Sequence, residues 1–189
     1  HGMFSEIDKA VVLEKCNKSI TDLYEALEKA TVIAITFGTA WVYEYEGTVV
    51  GNCHKIPASR FVRRRMTVEE IVAIWQPLIA AMPEKKWLFT VSPIRHVKDG
   101  LQENHINKGI LLQAVDQLTK QTGCSYCPSY EIMMDELRDY RYYAEDMVHP
   151  SSLAVEYIWQ RLVDTYMTTE TQVEMKNLRQ LWRDVHHRF

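Results

Sequence analysis

Three short apolar runs, each followed by a longer stretch of helical period, constrain this chain more than any other feature. Thr31-Val32-Ile33-Ala34-Ile35-Thr36-Phe37 ends at Gly38, Trp87-Leu88-Phe89-Thr90-Val91 stops before Pro93, and Cys124 to Pro128 forms a briefer third run. Runs rich in β-branched and aromatic residues, without polar alternation, suit strands buried on both faces. Between them the apolar period becomes helical. Residues 5 to about 29 place Ile7, Val11, Val12, Ile20, Leu23 and Leu27 at broadly helical spacing, in one piece or two. Thr67-Val68-Glu69-Glu70 has the capping-box form and opens a helix to about Met82 with Ile71, Ile74, Trp75 and Leu78 inward. Further helices are expected over 106–122, Glu131–Arg138, Ser151–Met167 and Thr171–Val185, and Trp41–Val50 alternates around Gly47 as a small hairpin. Strands alternating with helices predict an α/β layered domain with a mainly parallel sheet. No repeat or linker interrupts it, so residues 1–189 are read as one domain.

Composition narrows the function. A hydrophobic content of 47% can build a real core, and a net charge of −3 gives no general attraction to nucleic acid. The basic run, Arg60 with Arg63-Arg64-Arg65, is expected in a solvated loop before a helix rather than in an anion site. Of Cys16, Cys53, Cys124 and Cys127 only the last two form a C-x-x-C, and no second ligand pair at zinc-like spacing accompanies them. This is ordinary cysteine usage rather than a zinc site, and the hydrolytic mechanism considered below requires no metal or organic cofactor. No apolar run approaches the roughly 20 residues of a membrane span, and the thiols suit a reducing, cytoplasmic compartment.

The segment that speaks to chemistry is Asp146-Met147-Val148-His149-Pro150-Ser151. A carboxylate three residues before a histidine, ahead of a helix, is a compact acid–base pair. Neutral imidazole takes a proton from a hydroxyl nucleophile near neutral pH, and the carboxylate fixes its tautomer and stabilises the imidazolium. The plain alternative is an Asp that only caps the following helix. Catalytic groups in parallel α/β folds gather beyond the carboxyl ends of the strands, where Gly38, Arg95 and His96 stand. Gly38 also suits a simple tight turn, and Arg95 and His96 also suit surface ion pairs. His54 beside Cys53 raises a thiol nucleophile, although sequence neighbours point apart in extended chain. Tyr140, Tyr142, Tyr143, Tyr157 and Trp159 read as packing residues rather than a sugar platform.

Four segments, Thr36-Phe37-Gly38-Thr39-Ala40-Trp41-Val42-Tyr43, Gly51-Asn52-Cys53-His54-Lys55, the run from Thr90 to Gly100 and the run from Tyr130 to Tyr142, together with Asp146–Pro150, resemble the GSCFA family. That family is similar to the SGNH/GDSL hydrolases. The resemblance covers most of residues 31–160 and implies a flavodoxin-like three-layer α/β/α fold with a serine-esterase type of site. The Asp-x-x-His element of SGNH enzymes falls on Asp146 and His149. Their strand-end Gly-x-Asn-Asp element falls on Gly38-Thr39-Ala40-Trp41, so Ala40 replaces an asparagine that would donate to the oxyanion hole. Loss of one such donor costs about 100-fold to 1000-fold in rate, and Asn52, His54 and His96 are candidate substitutes, with Gly38, Thr39 and Arg95 completing the pocket. The Gly-Ser-Cys-Phe-Ala segment itself is absent from residues 1–189. The expectation is accordingly a domain incomplete at its N-terminus, with the first strand and the nucleophilic serine upstream, and prone to self-association through uncovered apolar faces.

The leading expectation is an SGNH-type serine hydrolase of a small-molecule or carbohydrate ester. The rivals are a non-catalytic binding or scaffold domain on the same fold, and a cysteine hydrolase using Cys53.

Overall fold

The computed structural model describes every residue except 1, 52–55 and 187–189. A 3₁₀ turn, Gly2–Phe4, precedes helix α1 (Lys9–Lys29), capped at its start by Asp8, whose carboxylate accepts from the Ala10 amide at 2.7 Å. The principal sheet is parallel, in the order β1 (Val32–Phe37), β5 (Lys86–Val91), β6 (Cys124–Cys127). Its register pairs Ile33 with Trp87, Phe37 with Val91 and Phe89 with Tyr126. Parallel neighbours require long crossovers. The first holds α2 (Val68–Ala81) and the second α3 (Leu101–Leu118). After β6 the chain makes a short helical turn α4 (Ser129–Glu131), a π-helix over Ile132–Glu136, and helices α5 (Ser152–Tyr166) and α6 (Thr169–His186). A parallel sheet flanked by helices is the α/β/α layering that the alternating pattern predicts.

The core sits where α2 and α3 meet the sheet. Phe37, Phe89 and Trp87 stack along the strands at centroid spacings of 5.8 and 6.2 Å, and Trp75 from α2 meets Phe37 edge-on at 5.3 Å. Such aromatic pairs add about 0.5–1.5 kcal/mol beyond the area they bury. Leu111, Ala114, Val115 and Leu118 of α3 close the same cluster.

Four expectations change. First, β1 is covered on one face only: Ile33 is buried, Ile35 and Phe37 partly so, while Val32, Ala34 and Thr36 are exposed. The strand lies at the edge of the sheet, and α1 buries none of its residues. Second, α1 is a single helix, with Ile20 and Leu23 facing solvent and Leu27 packed on the core. Lys85 anchors its end by donating to the carbonyls of Glu28 and Ala30, both at 2.7 Å. Third, the inward face of α2 is Ile71, Trp75 and Ile79, a four-residue spacing, so Ile74 and Leu78 fall on the flank and are exposed. The capping box at Thr67 and Glu70 is formed as its sequence predicts.

Fourth, the basic run is a strand rather than a solvated loop. β4 (Phe61–Arg65) pairs antiparallel with β2 (Trp41–Tyr45), which also pairs with β3 (Thr48–Val50) in the expected hairpin. Its arginines are neutralised rather than solvated. Arg63 forms a two-pronged pair with Asp99 at 2.8 and 2.6 Å, Arg64 reaches Glu44 and Glu70 at 2.8 Å each, and Arg65 reaches Glu103 at 3.2 Å. This small sheet is thereby fastened to the turn preceding α3. No helix among the described residues is long and apolar enough to cross a membrane.

Candidate active site

The Asp146 loop builds its own geometry. Tyr143 and Pro150 form an isolated antiparallel bridge, and the Ala144 amide donates to the His149 carbonyl at 2.8 Å, so the chain from 143 to 150 closes on itself. At the tip, Met147 adopts φ 59°, a left-handed conformation uncommon for a side-chain-bearing residue. That turn lets one oxygen of Asp146, Oδ1, accept from the amides of both Val148 and His149 at 2.9 Å. The other, Oδ2, lies 2.6 Å from His149 Nδ1. The two amides, followed by the imidazole, hold the Asp146 carboxyl down to about 2. It is therefore an anion at any physiological pH. With Nδ1 turned to that anion, Nε2 is the ring nitrogen left to exchange a proton, as a general base requires. The His149 side chain is 57% exposed, and no serine hydroxyl among the described residues bonds to it.

The loop beyond β5 links this pair to the strand ends. The Arg95 amide donates to the Val148 carbonyl at 3.3 Å, and its guanidinium lies over the Tyr143 ring at 3.9 Å while donating to the Tyr143 hydroxyl at 2.6 Å. Its neighbour His96 turns the other way, with Nε2 3.1 Å from the Gly38 carbonyl. Burial, and then the nearby Lys108 ammonium, push His96 below its ordinary value, so it is neutral near pH 7 and donates Nε2–H. Gly38 and His96 are thus brought together, and Arg95 is joined to the Asp146 loop. Among the described residues neither His96 nor Arg95 forms an ion pair.

The residues that organise this region were invisible to sequence reasoning. Helix α3 turns Asn104, Asn107 and Lys108 inward, at 4%, 0% and 1% exposure. Asn104 accepts from the His96 amide at 2.9 Å. Asn107 Oδ1 accepts from the Ala40 amide at 2.6 Å and from the Thr39 hydroxyl at 3.1 Å, while its own Nδ2 is buried without a partner. Lys108 donates to the carbonyls of Gly38 at 2.8 Å and Ser92 at 2.7 Å, and no carboxylate among the described residues pairs with it. Burial lowers its ammonium to about 8. The Gly38 carbonyl therefore receives two donors, from His96 and Lys108, which fixes the strand-end turn. Of the amides in the Gly38–Trp41 turn, those of Ala40 and Trp41 are occupied, the latter by the Thr39 hydroxyl at 3.1 Å. The Gly38 and Thr39 amides have no hydrogen-bond partner among the described residues. The signal available in the sequence was three polar residues at i, i+3 and i+4 on the stripe that continues into Leu111.

Asn52, Cys53 and His54 lie outside the described residues. Cys124 and Cys127 are free thiols whose pKa values are raised by burial, which makes them poor nucleophiles. Searches of curated proteins and of solved structures return no match. A family model described as "GSCFA family" matches residues 1–162.

Proposed function

Because the chain belongs to the GSCFA family, we propose that it is an ester hydrolase of SGNH type, in which His149 is the general base and Asp146 its orienting carboxylate. The observation that supports this most is the Asp146–His149 contact at 2.6 Å with both Asp146 oxygens engaged. The nucleophile in this scheme is a serine of the Gly-Ser-Cys-Phe-Ala segment, which has no counterpart in residues 1–189. The His149 Nε2 takes the serine proton as its oxygen attacks the ester carbonyl, and returns that proton to the departing alcohol. Water, activated by the same nitrogen, then hydrolyses the acyl-enzyme. The Gly38 and Thr39 amides are the oxyanion donors of this scheme. Lys108, Asn107 and His96 are positioning residues that hold the turn presenting them. A substrate of small-molecule or carbohydrate ester type fits this chemistry.

One observation favours a second reading, a non-catalytic binding domain. Ala40 replaces the asparagine donor, and its own amide is occupied by Asn107. Fluorophosphonate labelling separates the two. The protein bearing the Gly-Ser-Cys-Phe-Ala segment is expected to label, the 189-residue chain and a His149→Ala variant of the longer form are not. A folded segment-bearing form that resists labelling overturns the hydrolase reading in favour of the binding domain.

A further inference from the structure

A cavity of about 240 Å³ opens beside the Asp146 loop, between the π-helix and the loop beyond β5. We propose that it binds a short acyl chain ending in a carboxylate, so that the acid part of the substrate is itself anionic.

The charge argument comes first. Arg95 and Arg138 both line the cavity, and neither pairs with a carboxylate among the described residues. Arg60, Arg63, Arg64, Arg65, Arg141 and Arg161, by contrast, each face one. The one acid in the lining, Asp139, is committed elsewhere: Oδ1 accepts from the Arg141 amide at 2.9 Å and Oδ2 lies 3.8 Å from the Arg141 side chain. Stacking on Tyr143 fixes the plane of the Arg95 guanidinium, and the hydrogen bond to the Tyr143 hydroxyl uses one of its five donors, leaving a rigid fork. Planar, bidentate recognition of a carboxylate is what such a fork does best.

The floor argues for a carbon chain attached to that anion. Met134 is the part-exposed side chain on this wall, with Met133 and Leu137 buried behind it. The π-helix puts them there, closed by the Leu137 amide donating to the Ile132 carbonyl five residues earlier at 2.9 Å. Single π turns recur at functional sites, and methionine adapts to irregular ligands. At this volume the cavity is smaller than the roughly 300–1,000 Å³ of sites for drug-sized molecules, which suits a short acyl group rather than a sugar ring.

Its place next to the pair gives it a role. Tyr143 bridges to Pro150, the residue after His149, and Arg95 bonds Val148 through its amide. A carboxylate held by the two arginines would sit on one side of that loop. That role in specificity rests on the hydrolase reading, whereas occupancy of the cavity does not.

The test is a binding measurement on the 189-residue chain. With ¹³C-methyl methionine labelling, monomethyl glutarate is expected to shift the Met133 and Met134 resonances saturably, the two assigned by Met→Leu variants. Arg138→Gln, at an exposed position that leaves folding intact, is expected to weaken the titration by about tenfold, with Arg95→Gln doing the same and Arg95→Lys restoring it only in part. Neutral dimethyl glutarate and inorganic phosphate are expected to leave both resonances in place. Equal response to the neutral diester, unchanged affinity in Arg138→Gln, a shift with phosphate alone, or no saturable shift each overturns the proposal. Binding by the 189-residue chain without fluorophosphonate reactivity in the folded segment-bearing form would sink the hydrolase reading and leave this site standing, and reactivity of that form without binding would do the reverse.

Discussion

At the scale of single residues, Met147 and Lys108 carry stress that the rest of the fold must offset. Met147 holds a left-handed backbone that costs a side-chain-bearing residue about 1–2 kcal/mol, and its side chain is exposed. Met147→Gly is therefore expected to raise stability by about 0.5–1 kcal/mol in thermal unfolding; a loss of stability would show that the Met147 side chain contributes contacts outweighing the strain. Lys108 is the second such position, an ammonium buried without a carboxylate. Its folded value of about 8 lies below the ordinary 10.5. Between those limits the unfolded chain binds the extra proton, so this group's contribution rises with pH, at up to about 1.4 kcal/mol per unit. Burial raises Tyr130 and Cys127, which work in the opposite direction, as does Tyr126. Comparison with Lys108→Met removes those shared terms. The stability difference, wild type minus variant, is expected to grow from pH 8 to pH 10 in urea titrations, and parallel profiles would exclude a proton-linked lysine.

At the scale of elements, the inward polar face of α3 matters most. Asn107→Leu leaves the Ala40 amide buried and unpaired, a loss of about 1–3 kcal/mol, whereas Asn107→Asp keeps the acceptor and should cost less. Equal losses in urea unfolding would mean the asparagine acts through its volume alone. This face also marks how far the sequence could be read. Strands β1, β5 and β6 were legible because apolar runs bounded by Gly38 and Pro93 have few alternatives, and α2 because Thr67 and Glu70 form a local cap. β4 was not, because Phe-Val-Arg-Arg-Arg looks like a solvated run until Asp99, Glu70 and Glu103 arrive from distant sequence. The π-helix was read as ordinary helix, since a single wider turn leaves no mark on the apolar period. The contact between Asp146 and His149 is legible in the sequence because it is local. Asn107 and Lys108 were missed because their partners, Ala40, Gly38 and Ser92, lie far away in the chain.

For the whole molecule, the larger apolar cluster lies where α2 and α3 meet the sheet, and a smaller one joins the π-helix to α5. The stacked Phe37, Phe89 and Trp87 with Trp75 form the centre, while α1 turns Leu13, Ile20 and Leu23 to solvent. Phe89→Ala is expected to cost about 3–5 kcal/mol, and Ile20→Glu or Leu23→Glu no more than about 0.5 kcal/mol, both read from denaturant midpoints. A large loss from either glutamate would place α1 in the cooperative core after all. The same unevenness bears on descent. Every hydrogen bond received by the Asp146 carboxylate among the described residues comes from Val148 or His149. A carboxylate–imidazole contact built from four consecutive residues can be inherited unchanged while the sheet edges, arms and pocket walls around it are rewritten.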